Sequence, residues 1–191
     1  MKNVFLAAML PLALLSCKAK EKKEDKKFIS VLSLIRKQVA HIDTSLYSIM
    51  KLVYIDSNRT DTTYIPREQF ADAARDFLDI PDLADPKVAA RFKEEPMIMD
   101  QTIGRVIITY TPVDPGREEC KSQQLLATPV IGEETRVNNI IITREVSNRD
   151  SFLHRQMLWQ MDRSFQVTTV SQKVGKPETT TTFKVTWNEE N

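Results

Sequence analysis

Apolar residues recur at three- and four-residue steps in the first half of this chain and at two-residue steps in the second. Phe28, Val31, Leu32, Ile35, Val39, Ile42 and Leu46 form the first stripe, which predicts an amphipathic helix over about 28–43. Asp43-Thr44-Ser45 breaks it. From Leu46 to Ile55 both faces are apolar, with Tyr47, Ile49, Val53 and Tyr54 among them, which predicts a buried strand. A polar turn at 57–61 and a short return strand at 62–65 follow. Pro66 suits the first position of a helix, and Phe70, Ala73, Ala74, Phe77 and Leu78 extend helical spacing over 66–78. Asp85-Pro86 opens a shorter helix with Val88 and Phe92 on one side, ended at Glu95-Pro96.

The alternating half begins at Ile103. Strands are predicted over Ile103–Thr111, Cys120–Thr128 and Val137–Val146, then as one long run from Phe152 to Ser171. In that run Leu153, Met157, Trp159, Met161, Phe165 and Val167 share odd parity, against Gln156, Gln160, Asp162, Gln166 and Thr168. Gly175 marks a hairpin loop within 172–177, and Phe183, Val185 and Trp187 form one face of the last strand. One packed and one wet face is the pattern of an antiparallel sheet. The expected architecture is α+β: N-terminal helices packed on one face of a curved, mainly antiparallel sheet of about six to seven strands. The later strands run in meander order and the early hairpin completes the sheet. No internal repeat or linker divides 28–191, so a single domain is expected there.

The first 27 residues follow another pattern. Lys2 is followed by an apolar run from Val4 to Leu15, broken only by Pro11, and then by Ser16 and Cys17. The run is shorter than the roughly 20 residues that span a bilayer. It has the layout of a secretory signal, with a charged start, an apolar core and a small residue at the cut. Leu14-Leu15-Ser16-Cys17 resembles the lipobox of bacterial lipoproteins. The resemblance implies that 1–16 is a signal peptide cleaved between Ser16 and Cys17, and that Cys17 is lipidated. It further implies a membrane partner through the lipid anchor and a place in the cell envelope. Lys18, rather than Asp, follows Cys17, which resembles outer-membrane sorting in diderm bacteria.

Charge and cysteine content refine this reading. Residues 18–27 hold six Lys and three acids and no apolar side chain larger than Ala, the composition of a disordered tether. That excess leaves 28–191 slightly acidic although the whole chain is at +1, so no basic face for nucleic acid is implied. Cys120 is the only other cysteine, so acylation of Cys17 would leave the domain without a disulfide.

Few residues suggest catalysis. The sequence lacks a Gly-x-Ser-x-Gly elbow, a glycine-rich phosphate loop and a His-Glu-x-x-His pair, and no metal or cofactor is expected. His41 falls near the end of the first helix and His154 at a solvent-facing strand position. Glu68, Asp72, Asp76 and Asp79 line the wet face of the second helix, and Asp82 and Asp85 lack the spacing of a calcium loop. The stripe of Met157, Trp159, Met161, Phe165, Phe183 and Trp187 has two readings: core beneath the helices, or the lining for an apolar ligand.

Two functions remain open on these residues. The first is a non-enzymatic, membrane-anchored lipoprotein whose domain binds an envelope protein or supports the envelope. The second is a periplasmic carrier of lipid or another hydrophobic ligand. A first helix leading into an antiparallel sheet, around 28–56 and the later strands, resembles lipoprotein-localisation carriers of the LolA/LolB type. That resemblance implies an apolar cavity of several hundred Å³ beside Trp159 and Phe165.

Overall fold

A computed structural model of the protein describes residues 28–56, 59–129 and 135–188, so the expected signal segment, Ser16, Cys17 and the tether lie outside it. Helix α1 (Val31–Thr44) buries Val31, Leu32, Ile35, Val39 and Ile42, the stripe seen in the sequence. Ser30 caps it twice over: its Oγ accepts from Ser33 N (3.0 Å) and donates to Asp82 Oδ1 (2.7 Å). The cap therefore also ties the helix to the loop after the second helical region. Ahead of it, Ile29 N donates to Tyr110 Oη (3.1 Å), and Phe28 packs on the Tyr110 ring.

The second helical region is less regular than its spacing suggests. A 3-10 turn at Arg67–Gln69 leads into α2 (Phe70–Ala73) and α3 (Arg75–Leu78), broken at Ala74. Phe70, Ala74 and Phe77 still face inward. The next helix, α4 (Pro86–Ala89), is a single turn whose N-cap Asp85 accepts from Lys87 N (2.8 Å). Phe92, expected on that helix, instead opens a strand and is buried there.

Among the described residues ten strands form one sheet, more than the six to seven expected. They are β1 (Met50–Asp56), β2 (Arg59–Tyr64), β3 (Phe92–Glu94), β4 (Ile98–Asp100), β5 (Arg105–Pro112), β6 (Cys120–Thr128), β7 (Arg136–Ser147), β8 (Ser151–Gln160), β9 (Ser164–Lys173) and β10 (Thr179–Thr186). The order is β2-β1-β10-β9-β8-β7-β6-β5-β3, with β4 also on β5 and the pairings antiparallel. The meander from β5 to β10 and the early hairpin beyond it agree with the pattern. The α+β class holds in that coarse form, but the sheet is larger and the helices are shorter, the second being broken into pieces.

Three differences have local causes. First, β3 and β4 are two pieces of one edge strand: Glu94 lies opposite Tyr110 and Ile98 opposite Ile107, one residue out of step across Pro96. A proline has no N–H to give the ladder, so the strand is interrupted there, and three-residue pieces are too short for alternation to show. Second, the long run 152–171 is a hairpin, turning at 161–163 with Asp162 at φ 61°. Trp159 faces Phe165 and Met157 faces Val167, odd opposite odd, so alternation passes through the turn unbroken. Length was the better signal, because strands seldom exceed about 10 residues.

Third, the strand expected to be buried from Leu46 begins at Met50 and leaves Val53, Tyr54 and Ile55 exposed, with Leu46 at 95%. Val53 shares the helix-facing side with Phe183, but that corner is covered by Lys51, whose Nζ sits 4.8 Å from the Phe183 ring. Apolar residues on both faces implied burial; how far the helical layer reaches is a tertiary matter.

Candidate functional site

The aromatic stripe is core. Met157, Trp159 and Phe165 are fully buried, Trp187 is 4% exposed, and Phe183 and Met161 are partly buried at the margin. Trp159 and Phe165, brought together by the β8–β9 register, stack with centroids 5.1 Å apart. Phe77 lies edge-on to both at 5.1 and 5.2 Å, and Phe70 closes the other side against Trp187 at 5.2 Å. Rings at these separations and tilts are in contact, and each pair is worth about 0.5–1.5 kcal/mol beyond area burial. The face that a hydrophobic carrier would open is thus filled by the helical layer.

The other sequence candidates have local partners. Cys120 is buried against Gln123, whose Nε2 lies 3.8 Å from Sγ. Burial pushes its thiol up to about 11, so it stays protonated near neutral pH. His154 meets Glu145 across β7 and β8 (3.1 Å). His41 is exposed and edges toward Tyr47. Asp72 pairs with Arg75, and Asp76 reaches Arg155 on β8 at 2.6 Å, so Asp76 is a bracket between layers rather than a wet-face residue. Glu68 and Asp79 are exposed. Asp82 accepts from Ser30 Oγ and Ala84 N, and Asp85 caps α4. Among the described residues, no group of three or more His, Cys, Asp or Glu side chains is placed to hold a metal.

Among the described residues, two depressions lie at opposite ends of the meander strands. One, about 270 Å³, lies between the loops at 147–152 and 172–176, which Val174 N joins to Asp150 O (3.0 Å). The other, about 220 Å³, is lined by Arg105, Arg136, Val137, Asn138, Asn139, Gln160, Met161 and Arg163. Arg105 opens β5, Arg136 opens β7 and Arg163 immediately precedes β9. In an antiparallel meander the starts of alternate strands fall at one end, about 10 Å apart. This is how three arginines distant in sequence share one recess.

Local irregularities shape that end. The β6–β7 register shifts between Leu126 and Ala127, leaving Asn138 as the extra residue of a bulge. Its carbonyl accepts from Met161 N (2.9 Å) at the entry to the β8–β9 turn. The turn is held by Gln38 of α1, whose Nε2 donates to Asp162 Oδ1 and whose Oε1 accepts from Asp162 N, both 2.8 Å. This amide pair fixes Asp162 in the left-handed region, which costs a non-glycine residue about 1 kcal/mol. The recess arginines did not stand out in the sequence. Only the meander combined with the turn at 161–163 aligns them.

No family model, curated protein or solved structure matches this chain.

Proposed function

We propose that this protein is a cell-envelope lipoprotein, held on the outer membrane of a diderm bacterium by acyl chains on Cys17. In this reading its domain is a non-enzymatic binding or structural module. The observation that carries the proposal is the abrupt change at Ser16-Cys17, from a signal-like apolar run to a lysine-rich stretch. Acyl chains contribute about 0.8 kcal/mol per buried CH₂, so several anchor stably, and the tether lysines modulate at about 1 kcal/mol each. Among the described residues no helix is long and apolar enough to cross a membrane. The reading of the domain as a binding module draws on its polar surface recess, since the aromatic core is solid and the buried thiol protonated.

Carriage of a hydrophobic ligand, the alternative, gains no support from the filled face at Trp159 and Phe165. Native mass spectrometry of detergent-free protein separates the two, since a carrier would retain co-purified lipid and an unliganded species throughout counts against one. For the anchor, Cys17→Ala should abolish palmitate labelling and shift the protein out of the membrane fraction. Unchanged labelling and retention would refute it.

A further inference from the structure

We infer that the recess bounded by Arg105, Arg136 and Arg163 is a binding site for a phosphate-type oxyanion, inorganic or esterified. The inference deepens the reading of the domain as a binding module and rests on it, but it is independent of the anchor.

The argument is one of donors and acceptors. Every side-chain amide oxygen lining the recess is already engaged by the protein. Asn138 Oδ1 accepts from Thr128 Oγ1 (2.7 Å) and Gln160 Oε1 from Ser164 Oγ (2.7 Å). With its amide donating to Asn138 O (2.8 Å), Asn139 accepts from Arg105 Nη1 (3.1 Å). Among the described residues no carboxylate lines the recess, and none forms an ion pair with Arg105, Arg136 or Arg163. Of the described acids close in sequence to the recess residues, Asp162 holds Gln38 and Asp100 accepts from Thr102 N and Ile103 N. Among the side chains that line the recess, what remains is three guanidiniums and the amide N–H groups of Asn138 and Gln160, an excess of donors.

Side chains rich in donors and carrying three positive charges favour a ligand that is rich in acceptors and negatively charged. Guanidinium forks pair bidentately with carboxylate and phosphate alike. Three of them arriving from separate strands match the several oxygens of a tetrahedral oxyanion better than the two of a planar carboxylate. At about 30 Å³ per water, the recess holds roughly seven. That leaves room for a phosphate with a small polar substituent beside Asn138 and Gln160. Such chemistry could come from a soluble phosphate compound or from a phospholipid headgroup.

The test is calorimetric titration of the full chain in detergent with inorganic phosphate, with glycerophosphoglycerol as a lipid headgroup, and with acetate. Saturable one-to-one binding of either phosphate probe, stronger than acetate, is the expected result. Arg136→Gln and Arg163→Gln each remove a charge-assisted bond from an exposed position and should weaken it about 10- to 150-fold, as loss of about 1.5–3 kcal/mol requires. Arg163→Lys keeps the charge without the fork and should retain part of the affinity. Tighter binding of inorganic phosphate assigns a soluble ligand, and tighter binding of glycerophosphoglycerol a headgroup. Absence of saturable phosphate binding, or affinity unchanged in variants whose circular dichroism melts match the parent, overturns the inference. Palmitate labelling of Cys17 would be unaffected by that failure, so the two proposals fall separately.

Discussion

Replacing Phe77 by Ala should destabilise the protein by about 3–5 kcal/mol, the range for deleting a buried phenyl ring. The upper half applies here. Phe77 is fully buried, it touches both Trp159 and Phe165 edge-on near 5 Å, and the stacked pair beneath is pinned by strand register. The β8–β9 ladder cannot rise to fill the gap, and α3, a single turn tied to the sheet by Asp76 and Arg155, can move only by breaking that bracket. A domain of about 160 residues loses roughly 2–4 °C per kcal/mol, so melting should fall by about 8–20 °C. Urea unfolding followed by tryptophan fluorescence suits the measurement, because the only two tryptophans, Trp159 and Trp187, are buried in this cluster. A loss below about 1 kcal/mol would refute the reasoning, since it would mean that the ring borders yielding or solvent-filled space. In that case the carrier alternative would regain its cavity.

Cys120 supplies a pH test. Burial raises its pKa from 9.0 to about 11, so its contribution to stability is complete below pH 9 and is lost as pH rises from 9 to 11. Two pKa units correspond to about 2.7 kcal/mol. Cys120→Ala should lack that slope, and identical alkaline profiles for parent and variant would contradict the assignment. Gln38→Ala removes both bonds to Asp162 and should cost about 1–2 kcal/mol in urea unfolding, with weaker phosphate binding as Arg163 loses its seat. An unchanged midpoint and affinity would show that the turn holds itself. Asp76→Ala should cost about 1–2 kcal/mol, because it strands the half-buried Arg155; a change within 0.5 kcal/mol of zero, as at ordinary surface sites, would make the bracket incidental.

Much of the fold was legible because single elements bury faces with fixed periods. The stripe Val31–Ile42 needed only helical spacing, and the strands β5 to β7 and β10 needed only alternation. Misreadings arose where period carries no information. Parity runs straight through the Asp162 turn, and Pro96 cuts an edge strand into pieces shorter than one period of evidence. Phe92 fitted a helix as well as a strand, since a lone buried aromatic marks a position and not a conformation.

The recess was illegible for a different reason. Arg105, Arg136 and Arg163 resemble ordinary surface arginines in the sequence, and their meaning depends on strand order, a bulge at Asn138 and a turn held by a helix 124 residues away. The sequence by itself pointed to the α+β class in coarse form, the meander, much of the core and the proposed site of lipidation, all of which follow from local chemistry or one-dimensional patterning. Only the tertiary structure decided that the Trp159 face is filled, that Lys51 rather than a helix covers Phe183, and that three arginines line one recess. Those are facts about what lies across a gap. Periodicity describes the face a residue presents, and the partner on the far side is set by register and packing.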